Sequence, residues 1–336
     1  MALGFLCERP SCGVGRRSCN CHSERQAIPA HTRRKRDWKV RLDGCRPLCW
    51  SPHHVPVGGD QWRASYWMVI SANKPFFCGR GGVVNIICGY GNEAGAYLVS
   101  HPDVNHIVFT GSVATGKKIL HAAADKAIPA IVELGGKSAG IVYPDANLDD
   151  VVESARHAIF GVAGQICTAM SRLVVHKSVK DELLGKLVDL GKSLKVGPGY
   201  EEGSELTPVI SQNQLDKVEG YARSGIQAGA EAVHGGKRVD REGYFMEATV
   251  LDKVTQDMTV AREEIFGPVL SVLEYEEPEE AIHIANDTEY GLGAGVFTKD
   301  LDKASWTANK LESGQVYVNK WFTGSHATPF GGYKQS

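Results

Sequence analysis

His106-Ile107-Val108-Phe109-Thr110-Gly111 and Ala130-Ile131-Val132-Glu133-Leu134-Gly135-Gly136 are short apolar runs rich in β-branched residues, and each closes on glycine. Alanine-rich sequence of helical character lies between them. Val83-Val84-Asn85-Ile86-Ile87, ending in Gly89, precedes them in the same style. Strands that alternate with helices predict a parallel sheet with crossover connections, an α/β fold.

The pattern continues toward the C-terminus. Leu148, Val151, Val152, Ala155 and Ile159 recur at helical spacing, and Asn147 with Asp150 has the form of a capping box. This predicts one long amphipathic helix. Further strands are expected at 172–176, 269–273, 295–298 and 316–319, and helices at 180–194, 214–228, 278–286 and 301–311. Gly314 is placed to stop the last helix. The second half is therefore also α/β and large enough to be a domain.

The first eighty residues differ in kind. They carry 14 Lys+Arg against 5 Asp+Glu, whereas the rest carries 23 against 34, so the net charge of −2 conceals opposed halves. Cys7, Cys12, Cys19, Cys21, Cys45, Cys49 and Cys78 lie in this stretch, and only Cys88 and Cys167 beyond it. Three readings compete for residues 1–80. One is a zinc module, for which the CxC and CxxxC spacings are a poor match. Another is a basic nucleic-acid arm around Arg33-Arg34-Lys35-Arg36. The favoured one is an unassigned basic, Cys-rich leader that does not belong to the fold that follows.

Composition narrows the class. With 43% hydrophobic and 23% charged residues the chain is globular in type, and no apolar run approaches the roughly 20 residues of a bilayer span. Met1 to Pro10 lack the pattern of a signal peptide. A cytoplasmic protein is expected, with no membrane or nucleic-acid partner and no metal.

Several motifs could carry chemistry. Gly89-Tyr90-Gly91-Asn92-Glu93-Ala94 fits GxGxxA, but the acidic residue expected after the next strand is missing, so a tight strand–helix turn is at least as good a reading. Gly111-Ser112-Val113-Ala114-Thr115-Gly116 opens a helix whose free N–H groups suit a phosphate. Glu133 ends an apolar strand, where its carboxyl should have a raised pKa suited to a general base. The adjacent Gly135-Gly136 lets another group approach closely. Cys167, in Gly164-Gln165-Ile166-Cys167-Thr168, follows a glycine and a turn, as an exposed nucleophilic thiol would. Glu133 could serve it if the fold brings the two together. Glu263-Glu264-Ile265-Phe266-Gly267-Pro268 combines acids that can hold ribose hydroxyls with a ring that can pack on a nicotinamide.

In order and spacing, these motifs resemble the NAD(P)-dependent aldehyde dehydrogenase superfamily over about residues 82–336. Asn286-Asp287-Thr288-Glu289-Tyr290-Gly291-Leu292 and Pro329-Phe330-Gly331-Gly332-Tyr333-Lys334-Gln335-Ser336 add to the match. The resemblance implies an incomplete Rossmann-type NAD(P)-binding domain at 81–134 and an α/β catalytic domain at 135–336. It implies Cys167 as the nucleophile toward a small-molecule aldehyde, and Glu133 as the base that activates water on the thioester. It implies cofactor contacts by Gly111, Ser112, Gly116, Leu134, Glu264 and Phe266, with NAD or NADP as the cofactor.

The sequence also departs from the family. A Pro-Trp-Asn-Phe-Pro-like segment, whose Asn completes the oxyanion hole, has no counterpart. Lys74-Pro75 does not replace the family's adenosine-side lysine. The opening cofactor strands are absent or replaced by residues 1–80, and the chain ends before the strand that pairs across the family's subunit interface. Val162 and Ala163 stand where Asn or Gln is common, a change expected to be tolerable. The expectation is a C-terminally truncated chain, poorly soluble and at best weakly active. The alternatives are an inactive remnant, or a basic Cys/His-rich binding module fused to one.

Overall fold

The computed structural model describes residues 2–3, 66–70, 85–324 and 327–336. The cysteines and histidines weighed for zinc and the basic run at 33–36 lie outside the described residues. Strands β1 (Ala2–Leu3) and β2 (Tyr66–Ile70) are described, and they form a three-stranded sheet with β3 (Asn85–Gly89) in the order β1-β2-β3.

That pairing corrects one expectation. β3 does not lie in a parallel sheet with the strands that follow it; it runs antiparallel to β2, from Tyr66 opposite Gly89 to Ile70 opposite Asn85. An open strand edge takes whatever β-prone segment is offered, and Tyr66-Trp67-Met68-Val69-Ile70 is such a segment. After β3 come a wide π-type turn at Gly91–Gly95 and the short helix α1 (Ala96–Ser100). A Cβ added at Gly89 would lie 2.6 Å from the Ala94 Cβ, so the GxGxxA glycine serves close strand–helix packing.

Next, β4 (Ile107–Thr110), helix α2 (Val113–Asp125) and β5 (Ala130–Glu133) make a β-α-β unit, with β4 and β5 parallel and Thr110 opposite Glu133. Ile107 and Phe109 face inward and meet Val99, Val104, Ile119, Ala123 and Leu134 in a small core.

The remaining strands are β6 (Ala139–Val142), β7 (Arg172–His176), β8 (Glu231–His234), β9 (Thr249–Asp252), β10 (Val269–Tyr275), β11 (Tyr290–Gly291), β12 (Gly293–Phe297), β13 (Gln315–Val318) and β14 (Tyr333–Lys334). The helices are α3 (Leu148–Ala155), α4 (Lys177–Ser193), α5 (Gln212–Gln227), α6 (Thr259–Arg262), α7 (Pro278–Asn286) and α8 (Leu301–Lys310). Seven strands form one sheet in the order β13-β12-β6-β7-β10-β9-β8, all parallel except the edge pair β8–β9. The strands β11 and β14 pair separately and antiparallel.

The central strands are buried on both faces, as covered parallel sheets require. Val142, Leu173 and Val175 join the larger core with α3, α4 and α5, while Ile141 and Val174 join Ala281, Ala285 and Ala304 on the other face. The period-2 alternation of strand side chains thus builds two cores from one sheet. Helix starts are set locally: Ser112, Ser211 and Asp300 accept backbone N–H groups at α2, α5 and α8, and Pro278 opens α7. Among the described residues no helix is long and apolar enough to cross a membrane.

The expected long helix through Ile159 is not one helix. α3 stops at Ala155, a π-type turn runs Arg156–Phe160, and a tight turn follows at Gly161–Gly164. At Asn147 the amide donates to Asp150 Oδ2 at 2.9 Å and Oδ1 accepts from Asp149 N, so the two side chains bond each other rather than capping reciprocally. Ile166-Cys167-Thr168 follows these turns, and the Cys167 carbonyl lies against Gly136.

Candidate active site

Two consecutive glycines organise the site. A Cβ added at Gly135 would lie 2.5 Å from Glu264 Oε2, and one at Gly136 would lie 2.3 Å from the Cys167 carbonyl oxygen. The Gly136 contact is with backbone and leaves room only for glycine, whereas the Gly135 contact is with the end of a flexible side chain. Gly136 N also donates to Glu264 Oε1 at 3.1 Å. Gly135-Gly136 therefore brings residues distant in sequence, Cys167 and Glu264, against the end of β5, where Glu133 sits.

The cysteine loop is held from several sides. Gly164 has φ +68°, and a Cβ there would lie 2.2 Å from the Gly267 carbonyl oxygen. Glycine thus serves both the left-handed conformation and the contact with the Gly267-Pro268 turn. Trp321 Nε1 donates to Thr168 O at 3.0 Å, and Gln165 Oε1 accepts from Ile210 N at 2.9 Å. Val162 and Ala163 carry φ of 50° and 52°. Asn enters the left-handed region readily, whereas a β-branched Val there is strained.

Electrostatics link the acid and the thiol. Burial pushes the Glu133 carboxyl above its ordinary value, and its Oε2 is buried with no hydrogen-bond partner. Burial also raises the Cys167 thiol, and the carboxylates of Glu264 and Glu133 raise it further. A carboxylate at Glu264 or Glu133 thus disfavours the Cys167 thiolate. Burial raises Glu264 in turn, partly opposed by Gly136 N and by the cations Lys217 and Lys137.

Gly111 N donates to Glu133 O at 3.0 Å. Ser112 caps α2, its Oγ 3.4 Å from Thr115 N and 3.0 Å from Thr115 Oγ1. Gly116 is buried on α2, where a Cβ would lie 2.5 Å from Leu134 Cδ2, so Leu134 seats this helix on the strand end. Phe266 has φ +57°, and Gln214 Nε2 holds its turn by donating to the Ile265 and Phe266 carbonyls at 3.0 and 2.8 Å. No group of His, Cys, Asp and Glu among the described residues could hold a metal.

Some participants had no role assigned from sequence. Lys137 is fully buried. Arg172 is fully buried too and spends its guanidinium on three carbonyls, Lys137 O, Ile284 O and Ala285 O, at 3.0, 2.9 and 2.8 Å. Ser336 Oγ donates to Gly135 O at 2.7 Å and accepts from Gly291 N at 2.9 Å. A lone lysine at the mouth of the apolar strand Ala139-Gly140-Ile141-Val142 was a legible signal for Lys137. Gln214 and Trp321 gave none.

Gly135-Gly136 thus joins the carboxyl end of β5, with Glu133 and the capped start of α2, to the segment before β7 that carries Cys167. The chain belongs to the aldehyde dehydrogenase family, which it matches over residues 81–336. It is 42% identical over 270 residues to the mitochondrial aldehyde dehydrogenase of Leishmania tarentolae, covering 80% of this chain and 53% of that protein. It is 45% identical over 256 residues to the probable betaine aldehyde dehydrogenase of Schizosaccharomyces pombe, covering 76% and 51%. The fold matches the NAD+ complex of an aldehyde dehydrogenase from Bacillus cereus with a TM-score of 0.72 at 41% identity, over 74% of this chain and 50% of that one. The chain thus spans about half the length of these relatives.

Proposed function

We propose that this chain carries the thiol and hydrolytic chemistry of an NAD(P)-dependent oxidation of aldehydes to carboxylic acids. Cys167, as thiolate, adds to the aldehyde carbonyl to give a thiohemiacetal, and the Cys167 N–H stabilises the oxyanion. NAD(P)+, when bound, supplies the acceptor for the hydride that leaves this carbon. The thioester left on Cys167 is then attacked by a water that Glu133 deprotonates, which returns the free thiol and the acid.

The cofactor-side assignments rest on the geometry of the groups present. Glu264 Oε1 accepts from Gly136 N, which leaves carboxylate acceptor sites for ribose hydroxyls. Ser112 and the first turn of α2 offer N–H groups and the positive end of a helix to a pyrophosphate. Phe266 lines the nicotinamide side. In this reading residues 81–134 form the partial cofactor domain, which also supplies Glu133, and residues 135–336 the catalytic domain, which lends Glu264 and Phe266 to the cofactor.

The observation that carries the proposal is Glu133: a buried carboxylate oxygen without a partner, at the strand end that Gly135-Gly136 joins to the Cys167 segment. A base must keep a free oxygen for the water it activates. The test is NADH and NADPH formation from a panel of aliphatic and aromatic aldehydes, for the wild type, Cys167→Ala and Glu133→Gln. Turnover absent in Cys167→Ala, with at most one equivalent of reduced cofactor from Glu133→Gln, supports the reading. Equal turnover in all three refutes it. A wild type that forms no reduced cofactor while Cys167 still labels with a thiol reagent refutes the oxidation and favours the remnant.

A further inference from the structure

The seven-stranded sheet has a notch. β9 pairs with β10 from Thr249 opposite Val269 to Leu251 opposite Ser271, and then ends at Asp252. β10 runs on to Tyr275, still paired with β7 on its other side. Among the described residues no strand replaces β9 along that last stretch. Lys180 of α4, the helix that follows β7, lines the gap, and so does Ile284 of α7. The result is a cleft of about 430 Å³, within the size range of small-molecule sites. It lies beside the carboxyl ends of parallel strands, where open α/β sheets take their ligands. Cys167 precedes β7, at the amino end of the sheet, and no lining residue of the cleft belongs to the catalytic or cofactor set.

Two oxygens of the lining lack a hydrogen. Asp252 is 7% exposed, and its Oδ1 has no hydrogen-bond partner. Lys180 Nζ stands 3.5 Å from that oxygen, while its short contact, 2.7 Å, is with Glu274 Oε2. Gln256 donates through Nε2 to Asp287 O at 2.6 Å. This fixes the amide, because a flip would set two acceptor oxygens face to face. Gln256 Oε1 is thereby left buried and unpaired. Buried acceptors without donors are costly, and a ligand that brings N–H groups recovers the cost.

Charge selects the kind of ligand. Asp252 and Glu274 share the one ammonium of Lys180, and Lys253, the other cation of the lining, is turned to Glu231 at 2.8 Å. An anion would meet two carboxylates, whereas a cation finds one carboxylate in excess. Val272 and Ile284 add apolar wall.

We propose that this cleft is a second ligand site, for a primary ammonium carried on a short apolar chain. The ammonium donates to Asp252 Oδ1 and Gln256 Oε1. Lys180 makes way by withdrawing onto Glu274, which it already holds. The apolar chain lies against Val272 and Ile284.

The test is saturation-transfer NMR on the full chain at constant ionic strength, with butylammonium as the probe. Saturable binding is expected with a Kd of about 1 mM, ordinary for so small a ligand. Butyltrimethylammonium keeps the charge but has no N–H, and butyrate reverses the charge; each should bind at least about tenfold more weakly. Asp252→Asn and Gln256→Leu should each weaken butylammonium by about tenfold. Absence of saturable binding overturns the proposal. So does equal affinity for butylammonium and butyltrimethylammonium, or an affinity unchanged in both variants. The comparison of probes needs only the wild type, so a variant that does not fold leaves the test intact. Aldehyde turnover is no part of the readout, and its absence would refute the proposed function without touching this site.

Discussion

Gly136→Ala is the perturbation whose size the structure sets most closely. The added Cβ would sit 2.3 Å from the Cys167 carbonyl oxygen, where ordinary contact begins at 3.4 Å, so about 1 Å must be opened. The obstacle is backbone and cannot rotate aside. Trp321 Nε1 also holds the next carbonyl, Thr168 O, at 3.0 Å, which ties the loop down. Forced overpacking of this kind costs about 1–3 kcal/mol. A displacement of about 1 Å at a reacting atom costs on the order of 100-fold in rate. Urea unfolding of the purified chain and the rate of Cys167 alkylation, read on the same protein, measure the two effects. Gly135→Ala is the control, because its Cβ meets Glu264 Oε2, the tip of a movable side chain, at 2.5 Å. It should disturb Glu264 at a stability cost under about 1 kcal/mol. A Gly136→Ala chain with the wild-type urea midpoint and the wild-type alkylation rate would refute the claim that this glycine seats the nucleophile.

Other outcomes are expected on the same protein. Val162 is exposed at φ 50°, so Val162→Asn should stabilise by about 1 kcal/mol, seen as a higher urea midpoint; a lower midpoint would show that the left-handed turn is not strained. Arg172→Leu strands three carbonyls that now accept from its guanidinium and should cost about 3–5 kcal/mol in a denaturant titration. Glu133 has a raised pKa from burial and must be ionised to act as base, so deacylation of Cys167 should fall as pH drops through a midpoint above the ordinary carboxylate range. Turnover of an activated ester reads this without cofactor, and Glu133→Gln should abolish the pH dependence; the same profile in both would remove Glu133 from the step.

Much of the fold was legible because short parallel strands announce themselves as apolar runs closed by glycine. Arg172–His176 and Pro278–Asn286 were placed residue for residue. Strands β8 and β9 and the four residues of β6 passed unread, since short runs carry little periodicity. The break after Ala155 was illegible for a different reason. Val152, Ala155 and Ile159 keep helical spacing across it, and the wider turn depends on what the loop must reach, not on local preference.

Of the site, Cys167, Glu133 and Glu264 were named by type and neighbourhood, and Gly135-Gly136 was read as a place of close approach. Residue identity fixes such things: a thiol is a nucleophile and a glycine lacks a Cβ wherever they lie. Only the folded chain decided what approaches those glycines, Glu264 at one and Cys167 at the next. It alone sealed Lys137 and Arg172 inside the domain and left one Glu133 oxygen without a partner. These are properties of contacts and of solvent exclusion between segments far apart in sequence. A linear pattern determines which groups are available; desolvation and distance, which set their charge and reach, exist only once the sheet and its covering helices have closed around them.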